Sequence, residues 1–241
     1  MFELNKEHDI TVVTGIGPED RCALIVDDFY QNPEEVRKYA IASEKHSKQS
    51  DPQLMSGLPG YRVWEEDKRI RQNLKPFFDG IRNHRDLWRS PKKMRPGSWE
   101  TSWDRAAFIC NVMRENNRDP GGGIPHIDSF DVQFGVVIYL NTPEECQGGT
   151  NLYSLDDVMT LDIPPQNTYG IITDENGRVS YNVDYKDIKK SMEPGGRWKV
   201  EHEFEMVYNR CILYQADVLH GQNIDYGMFT DYDRINQVLF L

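Results

Sequence analysis

The chain has 241 residues, 38% of them hydrophobic and 28% charged, a composition that excludes a mainly disordered polypeptide. Its 39 acids against 28 bases leave a formal net charge of −11, which argues against bulk attraction to nucleic acid or anionic lipid. No apolar run approaches the roughly 18 residues that a membrane span needs. The charged opening MFELNKEHDI lacks the apolar core of a secretion signal, so a cytoplasmic location is expected. Cys22, Cys110, Cys146 and Cys211 lie far apart without a CxxC pair and read as reduced thiols.

In chain order, Cys22 to Asp27 predicts a short strand. Asn32-Pro33-Glu34-Glu35 then offers an N-cap, a first-turn proline and first-turn acids, predicting a helix from Pro33 to about Lys45. Ser47 to Gly60 reads as a loop, and a second helix is expected from about Asp67 to Leu87, interrupted near Pro76. After Pro96-Gly97 come short β-like runs: Ala106–Met113, Val132–Leu140, Thr150–Tyr153, Val200–Val207, Cys211–Gln215 and Arg234–Leu241. Strand follows strand without regular helices between, which disfavours a parallel βαβ sheet. The expectation is one mainly β (α+β) domain over 1–241. Residues 1–100 would supply an N-terminal helical layer, and 101–241 an antiparallel sandwich or barrel. The polar stretch from Asp156, within an insertion placed at about 156–206, carries Asn176-Gly177 between two short β-like runs, a hairpin signal. That stretch is either a surface excursion or a lid over a site.

The chemistry centres on His126 and Asp128. In extended backbone, residues i and i+2 point to one side, so both side chains can converge on one ion. His220, which follows the apolar run Cys211–Gln215 after a short connection, is the natural third ligand. Two imidazoles and one carboxylate form the facial triad that suits non-haem Fe(II) and leaves open positions for a bidentate oxo acid and O2. Zinc is a poorer match, because no cysteine joins the set. His8, His46, His84 and His202 read as surface or packing residues. Arg234 heads the last strand, where alternation places it with Asn236, Val238 and Phe240 on one face. A buried arginine there calls for an anion, either a bound carboxylate or an internal partner such as Asp231 or Asp233.

Several ordered stretches carry a family resemblance: Asp27-Asp-Phe-Tyr30 with Asn32-Pro-Glu-Glu-Val36, then Pro125-His-Ile-Asp128, Val136-Val-Ile-Tyr-Leu-Asn141, Gln147-Gly-Gly-Thr150, and Asn209-Arg-Cys-Ile-Leu-Tyr214 through Val218-Leu-His-Gly221. Together they resemble the prolyl-4-hydroxylase-like Fe(II)/2-oxoglutarate dioxygenases. The resemblance implies a double-stranded β-helix (jelly-roll, cupin-like) with iron held by His126, Asp128 and His220. It implies that Arg234 and the Tyr139 hydroxyl meet the distal carboxylate of 2-oxoglutarate. Asn236 stands where many relatives have serine or threonine and could still donate a hydrogen bond. Halogenating relatives have a small residue at the position of Asp128, so hydroxylation with succinate and CO2 as co-products is the implied outcome. The many charges and tyrosines of the insertion suit a polar substrate, such as an amino acid, peptide or protein side chain.

Two other readings compete with an oxygenase: a cupin-like metal-binding protein, and a non-catalytic jelly-roll binding or structural module. Arg82 to Arg95 interleaves basic residues with Trp88 and could bind nucleic acid or an acidic peptide, but a solvated helix face with tryptophans packing on the barrel is the preferred reading, since the chain as a whole repels polyanions. Gly121-Gly-Gly123 is no phosphate loop, since no Lys-Ser/Thr follows and Pro125 blocks a helix start.

Overall fold

The computed structural model describes residues 1–43, 61–64, 68–84, 86–88, 107–111, 125–128, 133–160, 171–173, 179–181, 195–225 and 227–241. Twelve strands and two helices occur among them: β1 (Asp9–Ile16), β2 (Arg21–Asp27), α1 (Pro33–Ala42), β3 (Tyr61–Trp64), α2 (Lys68–Arg82), β4 (Ala107–Asn111), β5 (Phe134–Tyr139), β6 (Gly149–Leu155), β7 (Ile171–Thr173), β8 (Val179–Tyr181), β9 (Trp198–Glu205), β10 (Cys211–Gln215), β11 (His220–Asn223) and β12 (Arg234–Phe240). The fold is mainly β, with antiparallel pairing throughout. A seven-stranded sheet runs β1-β2-β10-β5-β12-β4-β3, a three-stranded sheet runs β11-β6-β9, and β7 and β8 form a separate pair.

Side-chain alternation divides the large sheet into two apolar faces. Leu24, Val26, Val136, Ile138, Leu213, Ile235 and Leu239 share one buried cluster with Val36 and Ala40 of α1 and Ile70, Leu74 and Phe78 of α2. Their neighbours on the strands, Ala23, Val137, Tyr139, Ile212 and Tyr214, turn the other way and cluster with Leu152 of β6 and Phe204 of β9. Each large apolar side chain buried in this way contributes about 1.5–3 kcal/mol. Tyr139 crosses between the sheets, its hydroxyl donating to Thr150 Oγ1 of β6 at 2.7 Å.

The elements differ from expectation in instructive places. α1 begins at Pro33 with Glu34 and Glu35 in its first turn, but the Asn32 side chain makes no cap bond and the helix ends at Ala42. α2 runs unbroken from Lys68 to Arg82 with Pro76 inside it. The proline is exposed, and so is Gln72 one turn earlier, whose carbonyl loses its donor and can turn to water. The buried stripe Ile70, Leu74, Phe78 and Ile81 holds the helix across that gap. β9 falls inside the 156–206 stretch and pairs with β6 along its length, so that stretch includes a strand of the small sheet. The expected hairpin is present as the β7–β8 pair. The remaining residues of 161–194, and with them the expected lid, lie outside the described residues, as do the 47–60 loop, His46, Gly121–Gly123 and most of Arg82–Arg95. Cys22, Cys146 and Cys211 are free thiols. No helix among the described residues is long and apolar enough to cross a membrane.

A buried ion pair joins three distant segments. Arg21 is 2% exposed, and its Nη2 meets Glu19 Oε2 at 2.8 Å while Nη1 donates to Gln215 Oε1 at 3.2 Å and reaches Asp217 at 3.7 Å. Glu19 Oε1 in turn accepts the backbone N–H groups of Met159 at 2.9 Å and Thr160 at 3.2 Å. The β1–β2 turn, the segment after β6 and the β10–β11 connection are thereby stapled together. Burial pushes the Glu19 carboxyl up, but the Arg21 and backbone donors outweigh it and hold it below its ordinary 4.5. A lowered folded-state value means stability present at neutral pH and lost as pH falls through the carboxylate range. Glu19→Gln is therefore expected to lower the urea midpoint at pH 7, with the gap to wild type closing as the pH falls below the ordinary 4.5 of a glutamate and through the lowered value in the fold. A gap independent of pH would show that the charge of Glu19 is not what matters.

Candidate metal centre

Residues 125–128 run alongside the start of β11. His126 and His220 form an isolated antiparallel bridge, exchanging two backbone hydrogen bonds of 2.8 Å each. Asp128 N–H donates to the Ala216 carbonyl at 2.9 Å, which fixes the next point of contact on the β10–β11 connection. Ile127 between them is 4% exposed and points away, so the extended backbone aims His126 and Asp128 together. One ligand atom from each of His126, Asp128 and His220 lies within 4.8 Å of the others. His220 Nε2 stands 3.5 Å from Asp128 Oδ1. Ligands at about 2.1 Å and 90° around one ion sit about 3 Å apart, so the set needs only a small closure to share a metal.

The tautomer of His220 suits this role. Its Nδ1 lies 2.8 Å from the Val218 carbonyl, which can only accept, so Nδ1 carries a proton and Nε2, facing Asp128, is the ligand atom of the neutral ring. Burial alone would lower this imidazole, but the Asp128 carboxylate beside it raises it above its ordinary value. Asp128 Oδ2 is buried and accepts no hydrogen bond among the described residues. Tyr214 packs its ring on His220 with centroids 4.6 Å apart. Gly135 of β5 makes room for both neighbours, since a Cβ there would fall 2.8 Å from the Tyr214 ring and 2.9 Å from Asp128 Oδ2. A glycine inside an apolar strand was the available signal for that close approach. Gly149, at the entry to β6, explains part of Gln147-Gly-Gly-Thr150: a Cβ there would lie 1.8 Å from the Phe204 carbonyl oxygen.

The other three expected residues meet further along the same sheet face. Asn236 pairs with Tyr139 across β12 and β5. Arg234 is 1% exposed, its Nη1 donates to Asn236 Oδ1 at 2.5 Å, and its Nη2 approaches the Gly149 carbonyl at 3.5 Å. Its Cζ lies 6.0 Å from the Tyr139 ring centre. Among the described residues no carboxylate pairs with Arg234 and its Nε has no partner, so neither Asp231 nor Asp233 supplies the internal ion pair. Asn236 uses its oxygen to hold the guanidinium, the reverse of the donor role expected for it. The Tyr139 hydroxyl goes to Thr150, not to Arg234. Burial raises the Tyr139 phenol to about 12, which keeps it a protonated donor at neutral pH, and burial lowers the Arg234 guanidinium from its ordinary value. His8, His84 and His202 stand outside this arrangement; His8 stacks edge-on to Phe77 and His202 against Phe204.

A family model matches residues 7–235, nearly the whole chain. The chain belongs to the DUF6445 family. That family is described as one of unknown function, so membership assigns no activity. No curated protein matches the chain.

His126→Ala, Asp128→Asn and His220→Ala should each weaken Mn(II) or Co(II) binding by more than about 100-fold while the far-UV circular dichroism stays that of the wild type. Gly135→Ala should also weaken metal binding, by displacing Asp128. Undiminished binding in all three ligand variants would remove the metal from this site.

Proposed function

We propose that the chain is an Fe(II)- and 2-oxoglutarate-dependent dioxygenase that hydroxylates a polar substrate, such as an amino acid, a peptide or a protein side chain. One observation carries the reading: a 2-His-1-carboxylate set and a buried arginine that has no carboxylate partner among the described residues share the face between the two sheets. The donor set fits a metal that prefers mixed nitrogen and oxygen ligands with open positions. The guanidinium fits the far carboxylate of a diacid whose other end chelates that metal. The interleaved strand order β2-β10-β5-β12 supports a double-stranded β-helix as the frame.

The chain's residues then divide the work. His126, Asp128 and His220 hold Fe(II), with the Val218 and Ala216 carbonyls fixing the approach of His220 and Asp128. Arg234, braced by Asn236, binds the distal carboxylate, and the Tyr139–Thr150 pair closes the wall beside it. The apolar cluster between the sheets keeps water from the space. When bound, Fe(II) with 2-oxoglutarate and O2 supplies the oxidation that turns a C–H bond into C–OH, with succinate and CO2 as the other products. A cupin-like metal-binding protein would use the triad but leaves Arg234 without an anion, and for that reason we rank it second.

Incubation with Fe(II), O2 and 2-oxoglutarate should give succinate slowly even without the substrate, followed by NMR. Arg234→Lys keeps the charge and loses the fork, and should raise the 2-oxoglutarate dissociation constant about tenfold. If 2-oxoglutarate fails to bind the metal-loaded wild type, the reading is overturned in favour of the cupin-like one.

A further inference from the structure

Tyr214 is unused by the triad and by the Arg234 arrangement. It is 4% exposed, lies on β10 opposite Gly135 of β5, and packs its ring on His220. The ring fills the gap left by Gly135, where Asp128 Oδ2 also arrives. Phenylalanine would fill that gap equally well. Among the described residues the hydroxyl makes no hydrogen bond, and a phenol that stands beside Asp128 and His220 is a ready donor to an oxygen bound there. The other buried tyrosine hydroxyls among the described residues are engaged: Tyr30 with Gln237, Tyr139 with Thr150 and Tyr153 with Asn151.

The position of Tyr214 on the sheet indicates what that partner is. Gly135 and Tyr139 are four residues apart on one face of β5, about 13 Å. Tyr214 and Asp128 stand at the Gly135 end, and Tyr139 with Asn236 and Arg234 stands at the other. A diacid held by a metal at the triad and by Arg234 at its other end would run along this face, with its metal-side oxygens toward the phenol. Resting on the function proposed above, we infer that the Tyr214 hydroxyl donates a hydrogen bond to the metal-side end of the 2-oxo acid. Tyr214 is then a binding residue for the co-substrate, distinct from the Arg234 end.

The test compares wild type with Tyr214→Phe, which removes one oxygen and preserves the ring packing. Mn(II) affinity should stay within about twofold, while 2-oxoglutarate affinity of the metal-loaded protein falls about five- to tenfold, as for loss of one neutral hydrogen bond. The visible charge-transfer band of the anaerobic Fe(II)–2-oxoglutarate complex should shift as well, a change that packing alone would not cause. Unchanged affinity and band would overturn the inference and leave Tyr214 a packing residue. A parallel loss of Mn(II) affinity would overturn it in favour of a role in positioning Asp128. Failure of the wild type to bind 2-oxoglutarate at all would instead overturn the function on which it rests.

Discussion

The candidate centre depends on the backbone of the connection between β10 and β11. Within five residues, the Ala216 carbonyl takes the Asp128 N–H, the Val218 carbonyl takes the His220 Nδ1–H, and the His220 backbone pairs with His126 in both directions. Each of these polar groups would be costly to bury unpaired, at about 1–3 kcal/mol, so satisfying them and aiming the ligands are the same event. From the far side, Arg21 grips Gln215 and Asp217 while Glu19 grips the segment through Met159 and Thr160. The ligands are thus positioned largely by hydrogen bonds to the main chain.

Arg234 sets the opposite requirement. A fully buried guanidinium loses its hydration, a penalty of several kcal/mol even after relaxation. One amide oxygen and a long contact to a carbonyl offset only part of it. The fold carries that cost on the face that also holds the Tyr139 and Tyr214 phenols and the triad. Local conflict of this kind concentrates where a protein binds something, because the ligand resolves it.

How much could be read without coordinates follows physical lines. The triad was legible because its members obey a local rule, i and i+2 on one extended side, plus one histidine after a strong apolar run. Cys211–Gln215 and Arg234–Phe240 stood out because buried strands are written in continuous or alternating apolar residues. β1 escaped notice because it is an edge strand, exposed on most positions, where Ile10 and Val12 face solvent. β11 escaped because four residues, His220 to Asn223, are polar and short, and exist as a strand only through pairing with β6. The direction of the Asn236 hydrogen bond and the convergence of Tyr214, Gly135 and Asp128 depend on register between strands tens of residues apart. Composition carries no trace of that register.

The order of strands has a consequence for how this chain can reach its native state. β5 is flanked by β10 on one side and β12 on the other, so both of its edges are completed by residues beyond 210. The Arg21–Gln215 contact spans 194 positions in sequence. Closing loops of that size has an entropic cost that only late, cooperative pairing recovers. Any fragment that stops before β10 leaves Phe134–Tyr139, an apolar strand buried at every position, with two open edges. Such a fragment is a template for intermolecular pairing, so truncation from the C-terminal side produces aggregation where truncation of β1 would remove only an exposed border.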